Sequence, residues 1–178
     1  MTPSQPDPSP SQADHSLFRM LMLLSFNALI ALLVPLFAPI WGEPWDYLSG
    51  FLIGFVAITL FDRAYGRRCY RTTIFLFYVL WEILVSNVSL AIVVLRPRLD
   101  LDPGIVGIPL TVTSDIEITV LASVITLTPG TLSVDLVPDA NGRQVLYVHS
   151  LRLGDEEHFR TEIQNGFERM ILQISRGE

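Results

Sequence analysis

The sequence predicts a membrane protein in which two to three N-terminal membrane helices precede a small C-terminal α/β domain of order β-α-β-β-α. Three observations predict it. Half of the 178 residues are apolar and only 17% are charged, against roughly 25% in an ordinary soluble chain. The deficit sits in the first half, where apolar runs follow one another at residues 17–40, 47–61 and 72–95. The second half is acidic, with five Arg against twelve Asp and Glu over residues 100–178, and its pattern turns to short alternating segments. Lys is absent, and the Arg residues build no basic face, which argues against nucleic-acid binding.

Residues 1–16, MTPSQPDPSPSQADHS, are rich in Pro and Ser and hold no apolar run, so a disordered tail is expected. They lack the positive start of a secretory signal. From Met20 to Ile40 the chain offers 21 residues interrupted only by Ser25 and Asn27, enough to span a bilayer core of roughly 30 Å. Arg19 is placed to snorkel to the headgroups. Pro35 and Pro39 should loosen the last turns, and Trp41, Trp45 and Tyr47 fit an interfacial aromatic belt. The second run, 47–61, is near the lower limit for a crossing. Within it Gly50 and Gly54 have GxxxG spacing, which admits a close helix neighbour and also arises by chance in Gly-tolerant membrane helices.

Arg63, Arg67, Arg68 and Arg71 follow in the stretch DRAYGRRCYR, the densest positive cluster of the chain. The positive-inside rule reads it as a cytoplasmic loop. The third run, 72–95, differs from the others. Glu82, Ser86 and Ser89 recur at i, i+4, i+7 with Tyr78 one turn earlier, a polar stripe on one helical face. Either this segment crosses the membrane with the stripe against a partner, or it lies partly in the interface. Its length favours crossing. Arg96 and Arg98 favour the inner surface, since both Arg clusters are then cytoplasmic, and with them the C-terminal domain.

Pro97 and Pro103 mark a linker at 96–104, and residues 105–178 read as the small α/β domain. IVGIPLTVT (105–113) reads as a strand. Ser114 and Glu117 form an S-x-x-E capping box that opens a helix over DIEITVLASVITL, against the β-branched bias of that segment. Pro129-Gly130 makes a turn, TLSVDLV (131–137) a strand, Asp139–Gly142 a hairpin turn and QVLYVHSL (144–151) the return strand. Asp155, Glu156 and Glu157 start the last helix, where negative charge complements the dipole. Its apolar face runs Phe159, Ile163, Phe167, Met170, Ile171 and Ile174.

Chemistry is nearly absent. His15, His149 and His158 have no ligand-spaced partners, and Cys69, the single cysteine, has no neighbouring His or acid to activate it. No phosphate-binding Gly loop or nucleophile motif occurs, and Asp115 and Glu117 are explained as helix-start charges. Catalytic, cofactor-binding and metal residues are therefore expected to be none, and an enzyme is not expected. Glu82 is the one acid inside an apolar run. A carboxylate in hydrocarbon is costly, so it is the candidate intramembrane acid. It relays protons if its pKa rises towards neutrality, or it faces headgroups or pairs with an Arg of a neighbouring subunit.

PGIVGIPLTVTSDIEITVLASVITLTPGTLSVDL (103–136), LYVHSL (146–151), FERMI (167–171) and SNVSLAIVVLRP (86–97) resemble, in order and spacing, the E subunit of multisubunit monovalent cation/proton antiporters of the Mrp or Mnh type. The likeness covers roughly residues 17–176. It implies an accessory, non-catalytic subunit that supports assembly and stability of a Na+(K+)/H+ antiporter in a bacterial plasma membrane. The partners implied are the other antiporter subunits and the bilayer; no cofactor is implied and no functional residue is carried over. Family members often carry further charge just after the Ser-Asn pair, where Val88 and Ser89 stand here, which weakens proton conduction by this helix. The alternative reading is a membrane-anchored binding module whose α/β tail recruits a partner or ligand.

Overall fold

The computed structural model describes residues 12–37, 44–96 and 101–176, with side chains from His15 onward. The start of the Pro/Ser tail, Pro39, Trp41 and linker residues 97–100 lie outside the described residues. The chain divides into two compact units, one reaching to Arg71 and taking in Ser175 and Arg176, the other Thr72–Ile174.

The first unit is a helical hairpin continued into a third helix. Helix α1 (Gln12–Phe37) starts within the stretch expected to be tail, at QADHS. Once the apolar run has formed helix, adding a turn of Gln and Ala costs little, because propagation is far easier than nucleation. The helix runs through Pro35 to Phe37. Helix α2 (Trp45–Phe61) covers the second run, and α3 (Arg63–Val94) begins one residue later. The Arg-rich stretch expected to be a loop is therefore the first turns of a helix. Asp62 makes the break: its backbone N–H still donates to Ile58 O, while its carboxylate accepts from the Ala64 N–H at 3.0 Å and starts the next helix. By length and composition α1 and α3 are sufficient to cross a membrane, and α2 is shorter.

The second unit holds α3 from Thr72 and a small sheet. Strands β1 (Gly104–Pro109), β2 (Thr131–Pro138) and β3 (Gln144–Ser150) lie in the order β1-β3-β2, both pairs antiparallel, with a register shift between Ser133 and Asp135. Helix α4 (Asp115–Leu127) carries the expected capping box, Ser114 with Glu117. The β2–β3 turn closes on Asp139, whose carboxylate accepts from the Asn141 and Arg143 N–H groups at 2.8 Å, with Gly142 at φ +78°. Helix α5 (Glu156–Ile163), capped by Asp155, runs into a π-helical turn at Gln164–Glu168 and on into α6 (Arg169–Arg176).

The core lies between one sheet face and the helices. Val106, Ile108, Leu121 and Val148 are at most 1% exposed, each fully buried side chain of this kind contributing about 1.5–3 kcal/mol. Phe75 of α3, Phe159 and Phe167 pack against this cluster. The first strand stops at Pro109, four residues earlier than the alternation predicts. Past it, the N–H groups of Thr111 and Val112 donate to the Glu168 carboxylate, and those of Thr113 and Ser114 to Glu117. Two buried carboxylates take the donors that a longer strand would have paired.

Candidate functional site

In the hairpin the two glycines are where α1 comes closest. A methyl group on Gly50 would stand 3.0 Å from Val34 Cβ and 3.1 Å from Ala31 Cα, and one on Gly54 would stand 2.1 Å from Asn27 Oδ1. The GxxxG spacing thus serves the chain's own first helix. Asn27 is completely buried there, and the Tyr65 hydroxyl of α3 lies near it and near Cys69. Neither the Asn27 amide atoms nor the Tyr65 hydroxyl has a hydrogen-bond partner of good geometry among the described residues. At the open end of the hairpin, Arg19 Nη2 lies 2.8 Å from Asp62 Oδ2. Asn27, Asp46 and Tyr65 of this unit are thus buried, while Arg19 and Ser25 stay exposed. The outward faces of α1 and α2 are mostly hydrocarbon, as at Leu36, Leu60 and Phe61, with 74%, 77% and 95% exposure.

Glu82, the candidate acid, is half-buried in the second unit. Tyr78, one turn before it, stacks edge-on against Phe167 with ring centroids 5.5 Å apart. Its hydroxyl lies beside the carboxylates of Glu82 and of Glu162 on α5. The Ser86 hydroxyl donates to the Glu82 carbonyl at 2.7 Å, and Ser86 and Ser89 line a cleft of about 650 Å³ whose far wall is built from the α/β domain. The polar stripe read from the sequence, Tyr78 to Ser89, thus faces the α/β domain. On the opposite side of α3, Phe77, Trp81, Leu84 and Val88 are 61–68% exposed.

The cleft mixes chemistries. Val93, Leu151 and Phe159 are apolar lining, while Asp102, Arg152 and Glu162 bring two negative charges and one positive. The backbone around it is fixed, since Leu153 N–H donates to Asp102 O at 2.9 Å and Arg152 N–H to Ser150 Oγ at 3.3 Å.

The remaining candidates stand apart from one another. His15 and His158 are exposed and His149 is half-buried within β3. Asp115 and Glu117 open α4. Among the described residues no group of three His, Cys, Asp or Glu is disposed to hold a metal ion. Sequence reasoning missed Glu168, which is 1% exposed and serves the loop after β1, and Asn27, which lies under Gly54. The signal for Asn27 was present, a lone amide one helix away from a GxxxG pair. Glu168 gave none, because its partners lie 56 and 57 residues away.

The family described as Na+/H+ ion antiporter subunit is matched by residues 30–174. The E subunit of the Na(+)/H(+) antiporter of Bacillus subtilis (strain 168) is 34% identical over 135 residues, covering 73% of this chain and 84% of that protein. Its namesake from Alkalihalophilus pseudofirmus is 31% identical over 136 residues, covering 74% and 84%. Among solved structures, a chain of the membrane-bound sulfane sulfur reductase, an archaeal respiratory membrane complex, is similar with a TM-score of 0.50 and 25% identity. That match covers 88% of this chain and 96% of the other.

Proposed function

The chain belongs to the E-subunit family of Na+/H+ antiporters, and from that premise we propose that it is an accessory, non-catalytic subunit of a multisubunit Na+(K+)/H+ antiporter in a bacterial cell membrane. Its work is to support assembly and stability of the ion-translocating complex, and its partners are the other antiporter subunits. The observation that carries this reading is the division of polar and apolar surface. Asn27 and Tyr65 are buried and Arg19 is paired with Asp62 at the open end of the hairpin, while the exposed faces of α1 and α2 are mostly hydrocarbon. A helix pair of that kind gives lipid and neighbouring helices a packing surface and gives an ion no ladder to follow.

Helices α1 and α2 form the membrane hairpin, and α3 lies in the inner interface with the α/β domain on the cytoplasmic side. Two features support this. Arg63, Arg67, Arg68 and Arg71 open α3, in keeping with the positive-inside rule. Phe75, one turn further, already packs in the core of a domain with an acidic surface. A helix with one lipid-like face and one face on a polar domain suits the boundary better than the bilayer centre. Asn141→Cys in a Cys69→Ser background is expected to label in inverted vesicles and not in intact cells.

Glu82 is a positioning residue in this reading, oriented beside Tyr78 at the contact of α3 with α5. Glu82→Gln is then expected to leave sodium/proton exchange in vesicles intact. Loss of exchange by a fully assembled complex would instead make it a proton relay. The reading as a whole is tested by affinity purification from mild detergent. Large multi-helix proteins of the antiporter are expected to elute with this chain, and its recovery alone and monodisperse would defeat the proposal.

A further inference from the structure

We propose that the cleft between the C-terminal half of α3 and the α/β domain binds one aminophospholipid, with phosphatidylethanolamine as its chemical type. The cleft measures about 650 Å³, in the middle of the range of small-molecule sites, roughly 300–1,000 Å³. Its two walls differ in kind. One is α3, which lines the cleft with Val85, Leu90 and Val93 and, between them, the hydroxyls of Ser86 and Ser89. Within the cleft, Val85, Leu90 and Val93 of α3, with Leu151 and Phe159 across from them, give an acyl chain an apolar wall to lie against. The other wall carries the charges.

Those charges choose the headgroup. A guanidinium grips a phosphate through paired N–H donors, and Arg152 is the cation of the site. Neither Arg152 nor Asp102 nor Glu162 forms a salt bridge with another described residue. A headgroup with phosphate alone would meet two carboxylates for one guanidinium and be repelled on balance. A headgroup with an added primary ammonium meets both signs, phosphate on Arg152 and ammonium on Asp102 and Glu162. The ammonium has three N–H donors for carboxylate oxygens, whereas the quaternary ammonium of a choline lipid has none. The Ser89 hydroxyl and the Phe159 ring complete a site that is polar at its head and apolar along α3.

The inference rests on α3 touching lipid, and its test separates the two ideas. The full chain is reconstituted in phosphatidylcholine/phosphatidylglycerol vesicles containing a trace of phosphatidylethanolamine with a photoactivatable acyl chain. After irradiation the labelled peptides are mapped by mass spectrometry. Labelling is expected to concentrate on residues 85–93 and 151–162. Unlabelled phosphatidylethanolamine should suppress it about tenfold at concentrations where the choline and glycerol lipids do not, and Arg152→Gln should lower it by a similar factor. Labelling of α1 and α2 should change in neither case. Equal competition by the choline or glycerol lipid overturns the proposal. So does cleft labelling no higher than that at Leu52 or Leu60, or a cleft filled by a partner polypeptide. Failure of α1 and α2 to label at all would instead overturn the membrane assignment of the hairpin.

Discussion

Arg19, near the start of α1, lies 2.8 Å from the carboxylate of Asp62, the single residue between α2 and α3. Asp62 thus serves three helices. Its Oδ2 holds α1, its Oδ1 accepts from the first turn of α3, and its backbone N–H ends α2. Arg63, in the first turn of α3, opposes the helix dipole there, and the Asp62 carboxylate beside it offsets that charge.

The two partners should therefore not be equivalent on mutation. Arg19 is 65% exposed, and such pairs contribute about 0–1 kcal/mol. Arg19→Gln should be nearly silent in thermal unfolding in detergent. Asp62→Ala removes the N-terminal cap of α3 as well, worth about 1 kcal/mol by itself, and should lower the midpoint clearly. Asp62→Asn, which keeps an acceptor for Ala64, should fall between them. Equal effects of Arg19→Gln and Asp62→Ala would place all the stabilisation in the ion pair.

The glycines of α2 separate two kinds of close contact. At Gly54 the obstacle to a methyl group is a side-chain atom, Asn27 Oδ1, whereas at Gly50 it includes the backbone of Ala31. Each Gly→Ala change should destabilise the hairpin by about 1–3 kcal/mol, the usual cost of overpacking. Asn27→Ala should largely rescue Gly54→Ala, because it removes the colliding atom and an amide with no good partner. It should not rescue Gly50→Ala. A double-mutant cycle on the unfolding midpoint reads this directly.

The sequence spoke most clearly where the physics is local. The capping box of Ser114 and Glu117 spans three residues and fixed the start of α4 despite its β-branched content. The apolar run at 47–61 located α2 for the same reason. The errors came where distant groups decide. Alternation through Thr113 looked like strand, but the donors of residues 111–114 go to Glu117 and Glu168, and only one of these carboxylates is a sequence neighbour. The density of Arg at 63–71 looked like loop because charge was read without Asp62 as a cap. Tyr78, Glu82, Ser86 and Ser89 were legible as a stripe, but what it faces depends on α5 and the turn at Gly130, far along the chain. The π-helical turn at 164–168 left no trace in the pattern. It coincides with Gly166, where an added Cβ would stand 2.9 Å from the Tyr78 hydroxyl oxygen.

That close approach makes Gly166 a sensitive position. Gly166→Ala must displace the Tyr78 hydroxyl, so it should weaken the Tyr78–Phe167 edge contact, an interaction of about 0.5–1.5 kcal/mol. Tyr78→Phe keeps the ring and removes the oxygen, and combined with Gly166→Ala it should restore most of the loss. Faster amide exchange across 164–168 in the single variant, reversed in the double, is the expected signature. Unchanged exchange in Gly166→Ala would mean that the turn has room the geometry does not show.

Glu168 offers the sharpest test of the domain. Its carboxylate is buried and accepts from the N–H groups of Thr111 and Val112, the latter at 2.9 Å. Glu168→Ala takes the acceptor from the Val112 N–H, in a residue 1% exposed and beside Leu110 at 2%. An orphaned buried donor costs about 1–3 kcal/mol, so the variant should unfold the α/β domain at a lower temperature and lose exchange protection at 111 and 112 first. Glu168→Gln retains one acceptor oxygen and should lose only the charge-assisted part of the bond, a smaller drop. Asp155→Ala, an exposed cap whose carboxylate takes the His158 N–H at 2.7 Å, should cost about 1 kcal/mol and leave residues 111 and 112 protected. If Glu168→Ala proved no worse than Asp155→Ala, the loop after β1 would owe its conformation to Pro109 and the apolar packing of Leu110 and Val112, and not to the carboxylate clamp.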